Sequence, residues 1–76
     1  MPHIEIKCFP GRTDEQKALC AEKIAEVLAD AWDCKMSSVS VAIKDVPKEN
    51  WKEEVWEAQI MADEPYLYKK PGYTYE

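Results

Sequence analysis

One main-chain nitrogen and a handful of side chains in this sequence can do chemistry. The nitrogen belongs to Pro2, directly behind Met1. A small second residue permits removal of an initiator methionine. Removal would leave Pro2 as a free secondary amine on a locked ring. α-Amines titrate near 7.7–8.0, and a proline amine is at least as basic, so this would be a proton carrier close to neutral pH. With Met1 retained, the same nitrogen is a tertiary amide without basicity. Taken alone, Met-Pro is a common and uninformative start. Arg12 is the only arginine, beside nine lysines. Its planar fork suits a carboxylate or an oxygen gaining negative charge. In isolation it also reads as an exposed loop residue pairing with Asp14 or Glu15.

Other reactive types point to less. Cys8, Cys20 and Cys34 are an odd set, spaced by 12 and 14 residues, and His3 is the only histidine. There is no CxxC pair and no zinc-ligand spacing. The expectation is no metal, no cofactor and three reduced thiols, buried or half-buried, in a cytoplasmic protein. His3 reads as a surface histidine. Ser40 can donate a hydrogen bond to a substrate or simply be solvated. Trp32, Trp51 and Trp56 read as core or interface anchors.

The elements that must hold these groups are legible from periodicity. Ile4, Ile6 and Cys8 alternate with His3, Glu5 and Lys7, which predicts a strand with one apolar face. Pro2 sits at its first position, where a missing N–H does least harm. Pro10-Gly11 breaks the strand. Thr13 with Gln16 forms a capping box, and Asp14 and Glu15 fall in the first turn, so a helix should run from about Asp14 to Trp32. Its apolar stripe is expected at Cys20, Ile24, Val27, Leu28 and Ala31. Ser38–Lys44 predicts a second strand, with Val39, Val41 and Ile43 on one face. Strand, helix, strand is a βαβ unit with parallel strands and a right-handed crossover. A short second helix is expected over Trp51–Met61, with Trp51, Val55, Ala58 and Ala62 on one face, ended by Pro65. The tail, with Tyr66, Tyr68, Tyr73 and Tyr75, reads as an aromatic arm laid on a partner subunit.

Composition narrows the function. The chain has 76 residues and a net charge of -5. That excludes a nucleic-acid binder, which needs a basic patch, and disfavours an anionic membrane surface. No apolar run approaches the roughly 20 residues that span a bilayer. A chain this short makes one domain, 1–76, with a marginal core. A two-stranded sheet has two bare edges, so a second copy should complete it.

Pro2 at the head of a βαβ unit, followed by Pro10-Gly11-Arg12-Thr13-Asp14-Glu15-Gln16-Lys17, resembles the 4-oxalocrotonate tautomerase family. The resemblance spans roughly residues 2–46 and continues through Ser37-Ser38-Val39. It implies a mature chain 2–76 in which Pro2 is the catalytic base and Arg12 the catalytic arginine. The opening His3–Pro10, Trp51 and the ending Lys69-Lys70-Pro71-Gly72-Tyr73 are similar to a longer bacterial branch, dimeric rather than hexameric, associated with aryl enolpyruvates. Two positions depart from the family. Its second arginine falls on Ser40, which removes one clamp for a dicarboxylate. Its pocket phenylalanine falls on Trp51, which keeps an apolar wall. The longer branch does not generally share Arg12.

The resemblance therefore implies an α/β (α+β) protomer: two parallel strands under a covering helix, a short second helix and a C-terminal aromatic arm, its sheet completed by dimerisation, with a hexamer as the alternative assembly. The implied activity is keto–enol tautomerisation of a small-molecule 2-oxo acid such as phenylenolpyruvate. Pro2 and Arg12 would be catalytic, and Arg12, Ser40 and Trp51 would bind substrate. Dehalogenation or decarboxylation on the same proline is an alternative, as is a non-catalytic dimeric interaction module on the same scaffold.

Overall fold

The computed structural model describes residues 1–75. They form two compact units, one up to Asp45 and one from Val46 onward. The first unit holds strand β1 (His3–Cys8), helix α1 (Asp14–Trp32) and strand β2 (Ser40–Asp45). The strands pair in parallel, with His3 opposite Ser40, Ile6 opposite Ile43 and Cys8 opposite Asp45. Ile4, Ile6, Cys8 and Ile43 share clefts with side chains of α1, so the even-numbered positions of β1 face the helix. The other face carries His3, Glu5 and Lys7 beside Ser40 and Lys44. There Glu5 pairs with Lys44 at 3.4 Å and with Lys7 at 3.8 Å.

The ends of α1 follow from its sequence. The Thr13 hydroxyl accepts from the Gln16 N–H at 3.1 Å, and the Gln16 side chain accepts from the Thr13 N–H at 2.9 Å. This reciprocal cap satisfies two donors that a helix start leaves unpaired. At the other end Asp33 turns left-handed (φ 52) and returns its N–H to the Ala29 carbonyl. Aspartate tolerates that conformation better than most residues.

Which face α1 turns inward differs from expectation. Ala25 is buried, and Lys17, Ala21, Ile24, Leu28 and Ala29 are half-buried. Cys20, Val27 and Ala31 are exposed, as are Leu19 and Trp32. Alanines at 21, 25 and 29 recur every four residues and leave little side chain between helix and sheet. The larger residues are left on the flank. Cys20, Val27 and Ala31 join Ile4, Ile24 and Leu28 in an apolar groove of about 430 Å³. Ala25 is the only buried residue of this unit. Among the thiols, Cys8 and Cys34 are half-buried, but Cys20 is exposed.

β2 starts two residues later than the alternation suggested. Ser38 gives both its N–H (3.0 Å) and its hydroxyl (2.7 Å) to the Lys35 carbonyl. This local bonding closes a 3-10 turn over Met36–Ser38 and competes with strand pairing.

The second unit contains one longer helix, Lys52–Met61, wound with i→i+5 hydrogen bonds. That winding widens each turn beyond the 3.6 residues of an α-helix. Its less exposed residues, Val55, Trp56 and Ile60, together with the preceding Trp51, are spaced four or five apart. Val55 and Trp56 are buried, while Ala58 and Ala62, expected on the inner face, are exposed. The arm that follows has no strand, and its last rings pack within the chain. Tyr73 and Tyr75 lie 5.2 and 5.4 Å from Trp56, ring centre to ring centre. Tyr66 and Tyr68 are exposed. No helix among the described residues is long and apolar enough to cross a membrane.

Candidate active site

Three of the residues singled out by sequence gather at the head of the sheet. Pro2 is half-buried just before β1. Its carbonyl accepts from the Ser40 N–H at 3.2 Å, which ties the proline to the first residue of β2. The 3-10 turn at Met36–Ser38 delivers Ser40 to that position. His3, opposite Ser40 in the register, places Nδ1 2.6 Å from the Ser40 hydroxyl oxygen. The sequence reading left His3 as a surface histidine. The signal that finds it is the strand register, which only the pairing of β1 with β2 supplies.

Arg12 lies at the opposite end of β1. Gly11 takes φ 127, a conformation that suits glycine, and lets the chain turn from Pro10 toward the helix cap. The exposed Arg12 guanidinium donates to the Phe9 carbonyl at 3.5 Å, and the pairing with Asp14 or Glu15 is not formed. Beside it is a shallow pocket of about 260 Å³, lined by Ile6, Cys8, Gln16, Lys17 and Ile43 among others. Lys17 reaches Asp45 at 3.0 Å, and the Cys8 thiol lies 3.7 Å from the same carboxylate. The hydrogen bond to Asp45 raises the Lys17 pKa above the usual lysine range, against some opposing desolvation.

The two ends are far apart. Phe9 follows Pro2 by seven residues of nearly continuous extended chain, which at about 3.3 Å per residue places them roughly 20 Å apart. A small 2-oxo acid cannot touch Pro2 and Arg12 of the same chain at once. Trp51 belongs to the second unit, half-buried, with its indole N–H donating to the Tyr73 hydroxyl at 3.0 Å. Among the described residues no three His, Cys, Asp or Glu side chains come together as a metal site.

Comparison with known proteins decides what this scaffold is. A family model described as "Tautomerase enzyme" matches residues 2–55. "Tautomerase PptA" of Enterobacter sp. (strain 638) is 49% identical over 75 residues, covering 97% of this chain and 99% of that protein. The chain belongs to the tautomerase family. "Tautomerase PptA" of Escherichia coli (strain K12 / DH10B) is 44% identical over 75 residues, with 97% of this chain and 96% of that protein covered. Among solved structures, a 4-oxalocrotonate tautomerase isozyme from Methylibium petroleiphilum aligns with TM-score 0.62 and 42% identity. That alignment covers 66% of this chain and 81% of the neighbour. An apo "unFused 4-OT" aligns with the same TM-score at 37% identity, covering 64% of this chain and 80% of the neighbour.

The fold is thus the small α+β fold of the 4-oxalocrotonate tautomerase-like proteins, and the chain is an isomerase of the tautomerase type. A tautomerase needs a group that takes a proton from one atom and returns it to another. Of the residues placed here, the Pro2 nitrogen, Arg12, Ser40 and His3 are the polar groups that such a reaction can use.

Proposed function

We propose that this tautomerase interconverts the enol and keto forms of 2-oxo acids bearing one carboxylate and an aryl tail, such as phenylenolpyruvate. Pro2 acts as general base and then acid once Met1 is removed. The enol O–H gives its proton to the proline nitrogen, and the resulting ammonium gives it to the adjacent carbon. One proton has moved and the amine is restored, so no cofactor is required. General acid–base catalysis of this kind contributes about 10²–10⁴-fold.

The observation that carries the reading is the fixing of Pro2 at the strand head through the Ser40 N–H. A main-chain hydrogen bond on the carbonyl leaves the nitrogen free to react. Met1 is fully exposed, so its loss costs the fold no packing. The family match beginning at residue 2 supports the same assignment.

Because Arg12 lies a strand length from Pro2, the working site takes Pro2 from one chain and Arg12 from another. Two chains join their two-stranded sheets into a four-stranded one, as a homodimer. Arg12 then holds a carboxylate or the charged oxygen, and Ser40 donates a hydrogen bond. Residues 2–76 act as a single tautomerase domain, in the cytoplasm, where the three free thiols stay reduced.

The test is an ultraviolet assay of phenylenolpyruvate ketonisation on protein whose intact mass shows Met1 absent. The parent turns over and Pro2→Ala does not. Equal rates would overturn the mechanism.

A further inference from the structure

The head of the sheet lacks a guanidinium, since the only arginine sits at the far end of β1. The lysines nearest in the strands are also engaged: Lys7 and Lys44 both point to Glu5. Next to the Pro2 amine on the same chain, and in addition to the Arg12 assigned to the site from another chain, the His3–Ser40 pair is placed to meet an anion. The two residues face each other across the strands, with Nδ1 and Oγ 2.6 Å apart, and both are exposed. Ser40 is tied through its own N–H to the Pro2 carbonyl, so the pair is fixed within one residue of the reacting nitrogen.

We propose that His3 and Ser40 together form a second anion-holding group of the Pro2 site, gripping whichever of the carboxylate and enol oxygen of a 2-oxo acid monoanion the other chain's Arg12 does not hold. This rests on the reading of Pro2 as the proton carrier. The chemistry of the pair supports it in each protonation state. With neutral His3 carrying its proton on Nε2, Ser40 donates to Nδ1 and the ring offers Nε2–H outward. With the proton on Nδ1, the ring donates to Oγ and the serine O–H is released outward. With His3 charged, Nδ1–H still donates to Oγ, and both Oγ–H and Nε2–H are offered with a positive charge behind them. Protonation therefore doubles the outward donors from one to two and supplies the charge, which is what a guanidinium fork does elsewhere. The charged groups sharing this sheet face are Glu5, Lys7 and Lys44, whose ion pairs leave one net positive charge among the three. His3 holds its proton throughout turnover. The migrating proton passes only from enol oxygen to Pro2 and from Pro2 to carbon.

The test compares inhibition of phenylenolpyruvate ketonisation by trans-cinnamate, an aryl monoanion, and by cinnamamide, its neutral counterpart. Parent, His3→Gln and Ser40→Ala are measured from about pH 5.5 to about pH 8. Both substituted positions are exposed, and circular dichroism checks that the variants fold. The expected result is about a tenfold loss of cinnamate affinity in His3→Gln, the worth of one charge-assisted hydrogen bond. Ser40→Ala weakens cinnamate by a smaller factor across the range, and cinnamamide is unaffected in all three. The Pro2 amine is common to every protein, so its own titration cancels in the ratios. Cinnamate inhibition equal to the parent's in His3→Gln at every pH would overturn the assignment. If Pro2→Ala is inactive in that same case, the tautomerase reading stands and only the His3–Ser40 role fails. A fully active Pro2→Ala would remove the reading beneath it.

Discussion

The two ends of β1 are built differently, although only six strand residues separate them. At the head, Pro2 is half-buried and fixed by a main-chain hydrogen bond from Ser40, and His3 pairs with the Ser40 hydroxyl there. At the tail, Arg12 is exposed and makes a long bond to the Phe9 carbonyl, beside the paired Lys17 and Asp45. One end holds a main-chain nitrogen steady. The other presents an exposed cation to whatever approaches. A proton carrier needs the first kind of setting, because its geometry must be held through two transfers. An anion clamp tolerates the second, because a guanidinium can follow its partner. The lesson is that βαβ chain geometry puts Pro2 and Arg12 at opposite ends of a strand, so the proposed site that uses both must draw them from two chains.

The largest effect should come from the head. Pro2→Ala is expected to lower kcat for phenylenolpyruvate by about 10²–10⁴-fold, since it removes the secondary amine that carries the proton. Stopped-flow absorbance measures this directly. A smaller loss would shrink the contrast between the two ends. Next comes the tail. Arg12→Ala should lower kcat/KM by about ten- to a hundredfold, the worth of one or two charge-assisted hydrogen bonds, while Arg12→Lys recovers part of it. If Arg12→Ala left turnover unchanged, the tail would be an ordinary loop.

Two further predictions concern what positions the tail. Thr13→Ala removes half of the capping box directly after Arg12 and should cost about 1 kcal/mol, read as a drop in Tm. The smallest effect is the Lys17–Asp45 bridge. Its hydrogen bond raises the Lys17 pKa in the folded chain, so the contribution is complete at neutral pH. It fades only as pH climbs past the ordinary lysine range, about 10.4 in the unfolded chain. Asp45→Asn should therefore lower Tm slightly at neutral pH, with the gap to the parent closing at strongly alkaline pH.

How much of this was legible in the sequence depended on which interactions are local. The span of α1 was readable to the residue, because Thr13, Gln16 and Asp33 act on neighbours three to five positions away. Its inward face was not, because the packing is carried by Ala21, Ala25 and Ala29, while the larger residues that dominate a periodicity argument sit outside. The winding of the second helix escaped for a related reason. A repeat of 3.6 places Ala58 and Ala62 inward, whereas the less exposed residues are Trp51, Val55, Trp56 and Ile60, spaced four or five apart. At the site, Pro2 and Arg12 could be picked out by type and motif, but their separation required the strand to be laid out in space. His3 could not be chosen at all until the register set it opposite Ser40. Non-local pairings of this kind leave no trace in spacing along the chain.

The central claim, that one site draws Pro2 and Arg12 from two chains, has a direct test. Pro2→Ala and Arg12→Ala proteins, each deficient alone, are unfolded together, refolded as an equal mixture and assayed for phenylenolpyruvate ketonisation. Random pairing makes half of the dimers mixed, and each mixed dimer holds one intact site of two, so about a quarter of the parent's activity should return. A mixture no more active than its two components, with mixed dimers demonstrated by native mass spectrometry, would contradict the account.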